Sequence, residues 1–156
     1  MSPQAAFSGL SEDLDPRGTG VRCVEAIAAL DVGSAPDAGR MARVAKWISA
    51  SQCHLAEADG RVVGYGVITD NFFDSGFVEA LMVDANHRRQ AVGSAIMKYF
   101  QASCPTPKLW TSTNLSNLPM QRLLAEQGFV LSGVVDNIDP GDPELFYLKR
   151  RDQPAP

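Results

Sequence analysis

The apolar positions of this chain change period several times. Cys23, Ala26, Ile27 and Leu30 fall at i, i+3, i+4 and i+7, which is one face of a helix. After the turn-rich GSAPDAG, Met41, Val44, Ala45 and Ile48 repeat the spacing and predict a second helix. CHLAEADGRVVGYGVI reads as two strands, with Asp59-Gly60 between apolar runs as a hairpin signal. NFFDSG predicts the next turn, and FVEALMV, residues 77–83, a mostly apolar strand that is central and covered on both faces. A third helix is expected over 91–103, with Val92, Ile96, Tyr99 and Phe100 on one side, then a strand over 108–113. A fourth helix spans 118–127, with Pro119 in its first turn and Gly128 as its stop. FVLSGVV and ELFYLKR are two closing strands joined by DNIDPGDP.

Residues 1–20 are rich in Ser, Gly, Pro and acids and hold at most one short strand, around Phe7 to Leu10. With 151–156 they read as loose tails of one domain covering 1–156. Strands interrupted by helices predict an α/β (α+β) fold with a mixed sheet flanked on both faces.

Composition narrows the function classes. Of 156 residues, 45% are hydrophobic and 21% charged, as in a globular protein. The formal net charge of -4 argues against nucleic acid as a general partner, which demands a basic face. No apolar run reaches the length of a membrane span, and MSPQAAFSGLSEDLD lacks the basic start and apolar core of a signal peptide, so a cytoplasmic location and no membrane partner are expected. Cys23, Cys53 and Cys104 are far apart with no CxxC pair, so no metal site is expected.

The chemistry concentrates in RRQAVGSAIMKYF, residues 88–100. The start of a helix leaves four backbone N–H groups without partners and carries about half a positive charge. A phosphate answers both. Close approach needs small side chains, which Ala91, Gly93, Ser94 and Ala95 supply, and Arg88 and Arg89 add charge that can fork onto phosphate oxygens. The same run also fits a plain helix start with solvated arginines. It matches neither the P-loop pattern nor the GxGxxG dinucleotide turn.

VDANHRRQAVGSAIM resembles the signature segment of the GNAT N-acetyltransferases, V-x-P-x-x-R-x-x-G-x-G/A: Val83, Arg88 and Gly93 match, while Ala85 stands at the usual Pro and Ala91 at the usual first Gly. NLPMQRLLAEQGF approximates a second family segment, N-x-x-A-x-x-L-Y-x-x-x-G-F. Asn117, Leu123, Gly128 and Phe129 match there, whereas Met120 replaces alanine and Leu124 replaces tyrosine. The order of elements over 21–150 is similar as well. The resemblance implies a mostly antiparallel sheet of six to seven strands with about four helices, splayed between the fourth and fifth strands. It implies transfer of an acetyl or other acyl group from coenzyme A to an amine. The diphosphate of acetyl-CoA would sit on the N–H groups of residues 89–94, with Arg88, Arg89, Gln90, Ala91, Val92, Gly93, Ser94 and Ala95 as the cofactor-binding run. Its pantetheine would run beside Leu81, Met82 and Val83, with Asn117 on the other side. The acceptor would be a small-molecule or peptide amine. Dimers are common in such proteins, but no stripe here demands a homodimer.

Three side chains are candidates for the chemistry. Glu79 is a carboxylate inside an apolar strand, where burial would suit it to act as a base. Leucine at position 124 cannot protonate a leaving thiolate, so Tyr147 or Ser116 would substitute, or water would; Ser116 alternatively caps the fourth helix. Leu124 also keeps open a second class, a regulatory acyl-CoA-binding module without turnover. A third class, a nucleotide-phosphate binder, shares only the anion-holding helix. Asp136, Asp139, Asp142 and Glu144 between the last strands form either a polar turn or a negative rim for a cationic amine.

Overall fold

Residues 10–11, 19–30 and 38–151 are described by the structure, a computed structural model; within the first two stretches side chains are described only at 24, 25 and 27–30. Strand β2 (Cys53–Ala58) turns into β3 (Arg61–Phe72) through Asp59 and Gly60, whose φ values of 50° and 73° are the paired left-handed angles of a two-residue hairpin turn. The β2–β3 ladder runs antiparallel from Cys53↔Val67 to Ala58↔Arg61, and its register shifts between Ala56 and Glu57. β1 (Leu10–Ser11) adds to β2; the rest of the short strand expected around Phe7 lies outside the described residues.

The NFFDSG turn contracts to Phe73 and Asp74, both left-handed, between β3 and β4 (Ser75–Val83). β5 (Lys108–Asn114) runs parallel to β4, β6 (Val130–Asp139) and β7 (Asp142–Arg150) form a closing hairpin, and the strand order is β1-β2-β3-β4-β5-β7-β6. With α1 (Thr19–Leu30), α2 (Ala38–Ser49), α3 (Val92–Ser103) and α4 (Leu118–Glu126), this is a mixed, mostly antiparallel sheet with four helices. The β4–β5 ladder occupies only Gly76–Val78 against Leu109–Thr111, the short pairing that a splay between these strands requires. DNIDPGDP is not a free loop. The ladder continues to Asp139↔Asp142, and the turn is Pro140–Gly141, with Gly141 at φ 80°. β6 takes up the surplus residues as register shifts, one of them around left-handed Asn137.

The chain divides into two compact units, residues 1–67 with 80–96, and 68–79 with 97–156. In the first, the helical face of Val44 and Ile48 on α2 and Ile27 on α1 packs against Cys53, Leu55, Tyr65 and Val67, the alternate residues of β2 and β3. Arg40 donates to the Tyr65 hydroxyl at 3.2 Å, giving this buried ring's polar end a partner. The side chains of Cys23 and Ala26 lie outside those described.

In the second unit Phe72 meets Phe77, Trp110 and Phe146 at ring-centroid distances of 4.8, 5.5 and 5.9 Å, so Trp110 is part of an aromatic core cluster. Leu109 and Leu124 are fully buried in the same unit. Arg151 closes the C-terminus of α3 by donating to the carbonyls of Cys104 and Ala102, and Lys149 does so for α4 through Gln127.

Gly64 marks a close approach within the first unit. A Cβ there would sit 2.7 Å from the Met82 carbonyl oxygen and 3.2 Å from the Val92 side chain. Gly64→Ala is therefore expected to lower stability by about 1–3 kcal/mol, roughly 2–4 °C in Tm per kcal/mol for a chain of this size. At Gly60 a Cβ would meet nothing within 4 Å, so Gly60→Ala costs only the left-handed strain, about 1 kcal/mol. Thermal and urea unfolding of the two variants checks the ranking.

Candidate acyl-donor site

β4 leads straight into the predicted anion segment. The Asp84 N–H donates to the Val63 carbonyl at 2.8 Å, holding the end of β4 against β3. One 3₁₀ turn, Ala85–His87, follows, with the His87 N–H on the Asp84 carbonyl and His87 Nδ1 against Asp84 Oδ2 at 2.6 Å. His87 thus braces the turn, a role the sequence shows only as an i, i+3 spacing. Arg88 is extended, with φ -64° and ψ 149°, while Arg89 and Ala91 take left-handed φ of 63° and 62°. α3 begins one residue later than the spacing predicts, at Val92, because Ala91 is left-handed.

Among the described residues, the backbone N–H groups of residues 88–93 donate to no protein acceptor, and the Ala95 N–H reaches the Ala91 carbonyl at 2.9 Å. Ala91 has no side-chain oxygen with which to cap the helix. Left-handed residues build the backbone concavities that hold anions, and orphan N–H groups at a helix start add the dipole's positive end. Arg88, Arg89, Gln90 and Ala91 are all exposed, and Gln90 is held back by the hydrogen bond its Nε2 donates to the Asn86 carbonyl at 3.3 Å. The donor set therefore fits a diphosphate: free N–H groups, two guanidinium groups and small side chains at Ala91, Gly93 and Ala95. Leu81, Met82 and Val83 are half-buried residues of β4, outside its short ladder with β5.

The remaining expected residues are distributed as follows. Asn117 caps α4: its Oδ1 accepts from the Met120 N–H at 3.3 Å. The cap is thus Asn117 and not Ser116. The Ser116 N–H and hydroxyl both donate to the carboxylate of Asp142, at 3.0 and 2.5 Å, which ties Ser116 to the start of β7. Asp139 accepts from Asn114 at 2.9 Å. Tyr147 is buried in β7, opposite Thr111 of β5 and Leu131 of β6, and its hydroxyl has no hydrogen-bond partner among the described residues.

Glu79 requires a correction. The apolar run around it predicts burial, but its side chain is exposed, and the rationale that burial tunes it falls away. The physical reason is local: β4 buries the four residues 75–78, and beyond its ladder with β5 the strand turns a face outward. Glu79 Oε1 instead accepts from the Thr69 hydroxyl at 3.0 Å. Nothing in the sequence flagged Thr69, since strand residues ten apart become neighbours only through the hairpin.

Among the described residues no group of His, Cys, Asp and Glu is placed to hold a metal ion, and no helix is long and apolar enough to cross a membrane.

Comparison with known proteins defines the class. Residues 25–129 match the acetyltransferase (GNAT) family, and the chain belongs to it. An acetyltransferase of the GNAT family from Bacillus cereus ATCC 10987 is 28% identical, with a TM-score of 0.78 over 85% of this chain and 94% of that one. An aminoglycoside 6'-N-acetyltransferase complexed with coenzyme A shares the fold at 13% identity, with a TM-score of 0.72 over 95% and 99% of the two chains. The ribosomal-protein-S18-alanine N-acetyltransferase from Escherichia coli does so at 14% identity, with a TM-score of 0.68 over 84% and 89%. A search of curated proteins gives no match.

The left-handed angle at Ala91 explains why the family's pattern has glycine there. Ala91→Gly is expected to raise stability by about 0.5–1 kcal/mol, because relief of left-handed strain outweighs the added freedom of the unfolded chain. Urea unfolding checks the sign; a loss of stability would mean that this loop does not carry the strain.

Proposed function

We propose that the protein is an N-acetyltransferase that moves an acetyl group from acetyl-CoA to a primary amine of a small molecule or peptide by direct attack. The observation that carries this is the row of free N–H groups at residues 88–93 behind β4, flanked by Arg88 and Arg89, in a chain of the GNAT family.

Residues 89–94 would hold the diphosphate, and Arg88 and Arg89 would clamp its oxygens. Asn117 would contribute its amide nitrogen, since its oxygen is committed to the helix cap. Bound acetyl-CoA supplies an activated acyl thioester. The chain's main contribution is to position the amine against that group. A main-chain N–H at Met82 or Val83 would face the carbonyl oxygen as it gains charge, an effect worth up to roughly 3–4 kcal/mol in other enzymes. Glu79 would take the proton that the amine must lose, directly or through water, because amines of the lysine type are largely protonated near neutrality. Tyr147 or Ser116 would return a proton to the thiolate, with water as the alternative. The proton of Ser116 already points to Asp142, so Tyr147 is the better placed of the two in hydrogen-bonding terms.

A second class, an acyl-CoA-binding module without turnover, is favoured by Leu124. It occupies the usual tyrosine position and is fully buried, so no hydroxyl is offered there. Thiol release separates the two. Protein, acetyl-CoA and a panel of amines are mixed and free CoA is measured; binding without release across the panel would establish the module.

For the enzyme, Arg88→Ala is expected to raise KM for acetyl-CoA roughly tenfold, the loss of a charge-assisted hydrogen bond, with a small change in kcat. Glu79→Gln should lower kcat by ~100-fold or more while leaving acetyl-CoA affinity near wild type. The acidic hairpin supports a cationic acceptor. Asp139 and Asp142 hold Asn114 and Ser116, so Asp136→Asn with Glu144→Gln is the cleaner test. The double variant should raise KM for polyamine or aminoglycoside acceptors several-fold at low salt, and an unchanged KM removes the rim from the account.

A further inference from the structure

We infer that Thr69 is a positioning residue for Glu79, fixing which carboxylate oxygen is presented to the acceptor amine. The inference rests on the function proposed above and on Glu79 as its proton acceptor. Thr69 lies on β3 with 7% of its surface exposed, and a buried hydroxyl must find a partner. Its neighbour in kind, Thr111, finds one in the main chain, donating to the Val78 carbonyl at 3.1 Å. Thr69 instead donates to a side chain, Glu79 Oε1, at 3.0 Å. Valine would fill the same strand position equally well, so packing alone does not ask for the hydroxyl.

The bond matters because of what surrounds Glu79. The side chain is exposed, and among the described residues it has no ion pair and no other hydrogen bond. A free exposed glutamate samples many rotamers, and most would carry its carboxylate away from any one proton. Threonine is branched at Cβ and stiff at χ1, so on a strand its hydroxyl is a nearly fixed post. With Oε1 held, Oε2 is the oxygen left to accept the proton, at a defined place beside β4. Preorganisation of this kind raises kcat without adding affinity for either substrate.

Five proteins decide it: wild type, Thr69→Val, Thr69→Ser, Glu79→Gln and the double variant Thr69→Val/Glu79→Gln. Steady-state kinetics by CoA release and thermal melts are measured for each. Thr69→Val is expected to lose roughly tenfold in kcat, with KM for acetyl-CoA within about twofold of wild type. Thr69→Ser, which keeps the donor, should recover most of the loss. In the Glu79→Gln background Thr69→Val should cost almost nothing further, because its effect travels only through that carboxylate.

An unchanged kcat in Thr69→Val, beside a large loss in Glu79→Gln, overturns the role of Thr69 and leaves Glu79 as the acceptor. An equal loss from Thr69→Val in both backgrounds, or one that follows the melting temperature, makes the residue structural and overturns the inference. Full activity in Glu79→Gln removes the proton acceptor itself, and Thr69 with it; absence of CoA release from wild type with every amine defeats the enzyme and this inference together.

Discussion

The site depends on a helix that starts without a cap. A strand held by the Asp84–Val63 hydrogen bond passes through one short turn and two left-handed residues into α3, and nothing among the described residues accepts from the N–H groups of residues 88–93. Leaving so many donors unpaired is tolerable only where water or an anion reaches them. Exposure of Arg88 to Ala91 provides that access, and the guanidinium groups bias the segment toward an anion. The strain at Ala91 is local backbone strain of the sort that collects at functional sites.

Around that segment, the fold keeps the backbone close where the chemistry would need it. Gly64 lets β3 approach the Met82 carbonyl and Val92, so the strand beside the expected pantetheine and the first turn of α3 are set by one contact. His87 and Asp84 brace the turn between them. In the other unit, side-chain polar groups do similar work: Asn117 starts α4, and Asp142 and Asp139 pin Ser116 and Asn114 to the closing hairpin. The acids of DNIDPGDP thus serve the fold at two positions, Asp139 and Asp142.

Much of this was legible in the chain. The helical spacing of Met41, Val44 and Ile48, the Asp59-Gly60 hairpin, and Pro119 with Gly128 around α4 are local signals, and local signals survive without tertiary context. The helix start in RRQAVGSA was legible because its donors belong to the backbone, whose availability follows from where a helix begins. Ala91 shows the limit: the sequence registers a small residue, whereas the reason for smallness and for the family's glycine is a φ of 62°. The burial expected for Glu79 failed for a different cause. Apolar neighbours predict burial only if the strand is covered along its whole length, and the β4–β5 ladder stops at Val78.

What the sequence by itself determined is the identity and order of the elements, because period, turn residues and helix ends are set by neighbours a few positions apart. The tertiary structure alone decided which polar groups meet. Thr69 and Glu79 are ten residues apart, Ser116 and Asp142 twenty-six, and their bonds exist only once strands lie side by side. Hydrogen bonds need partners within about 3 Å, and no pattern along a chain encodes that distance between residues the fold has yet to bring together.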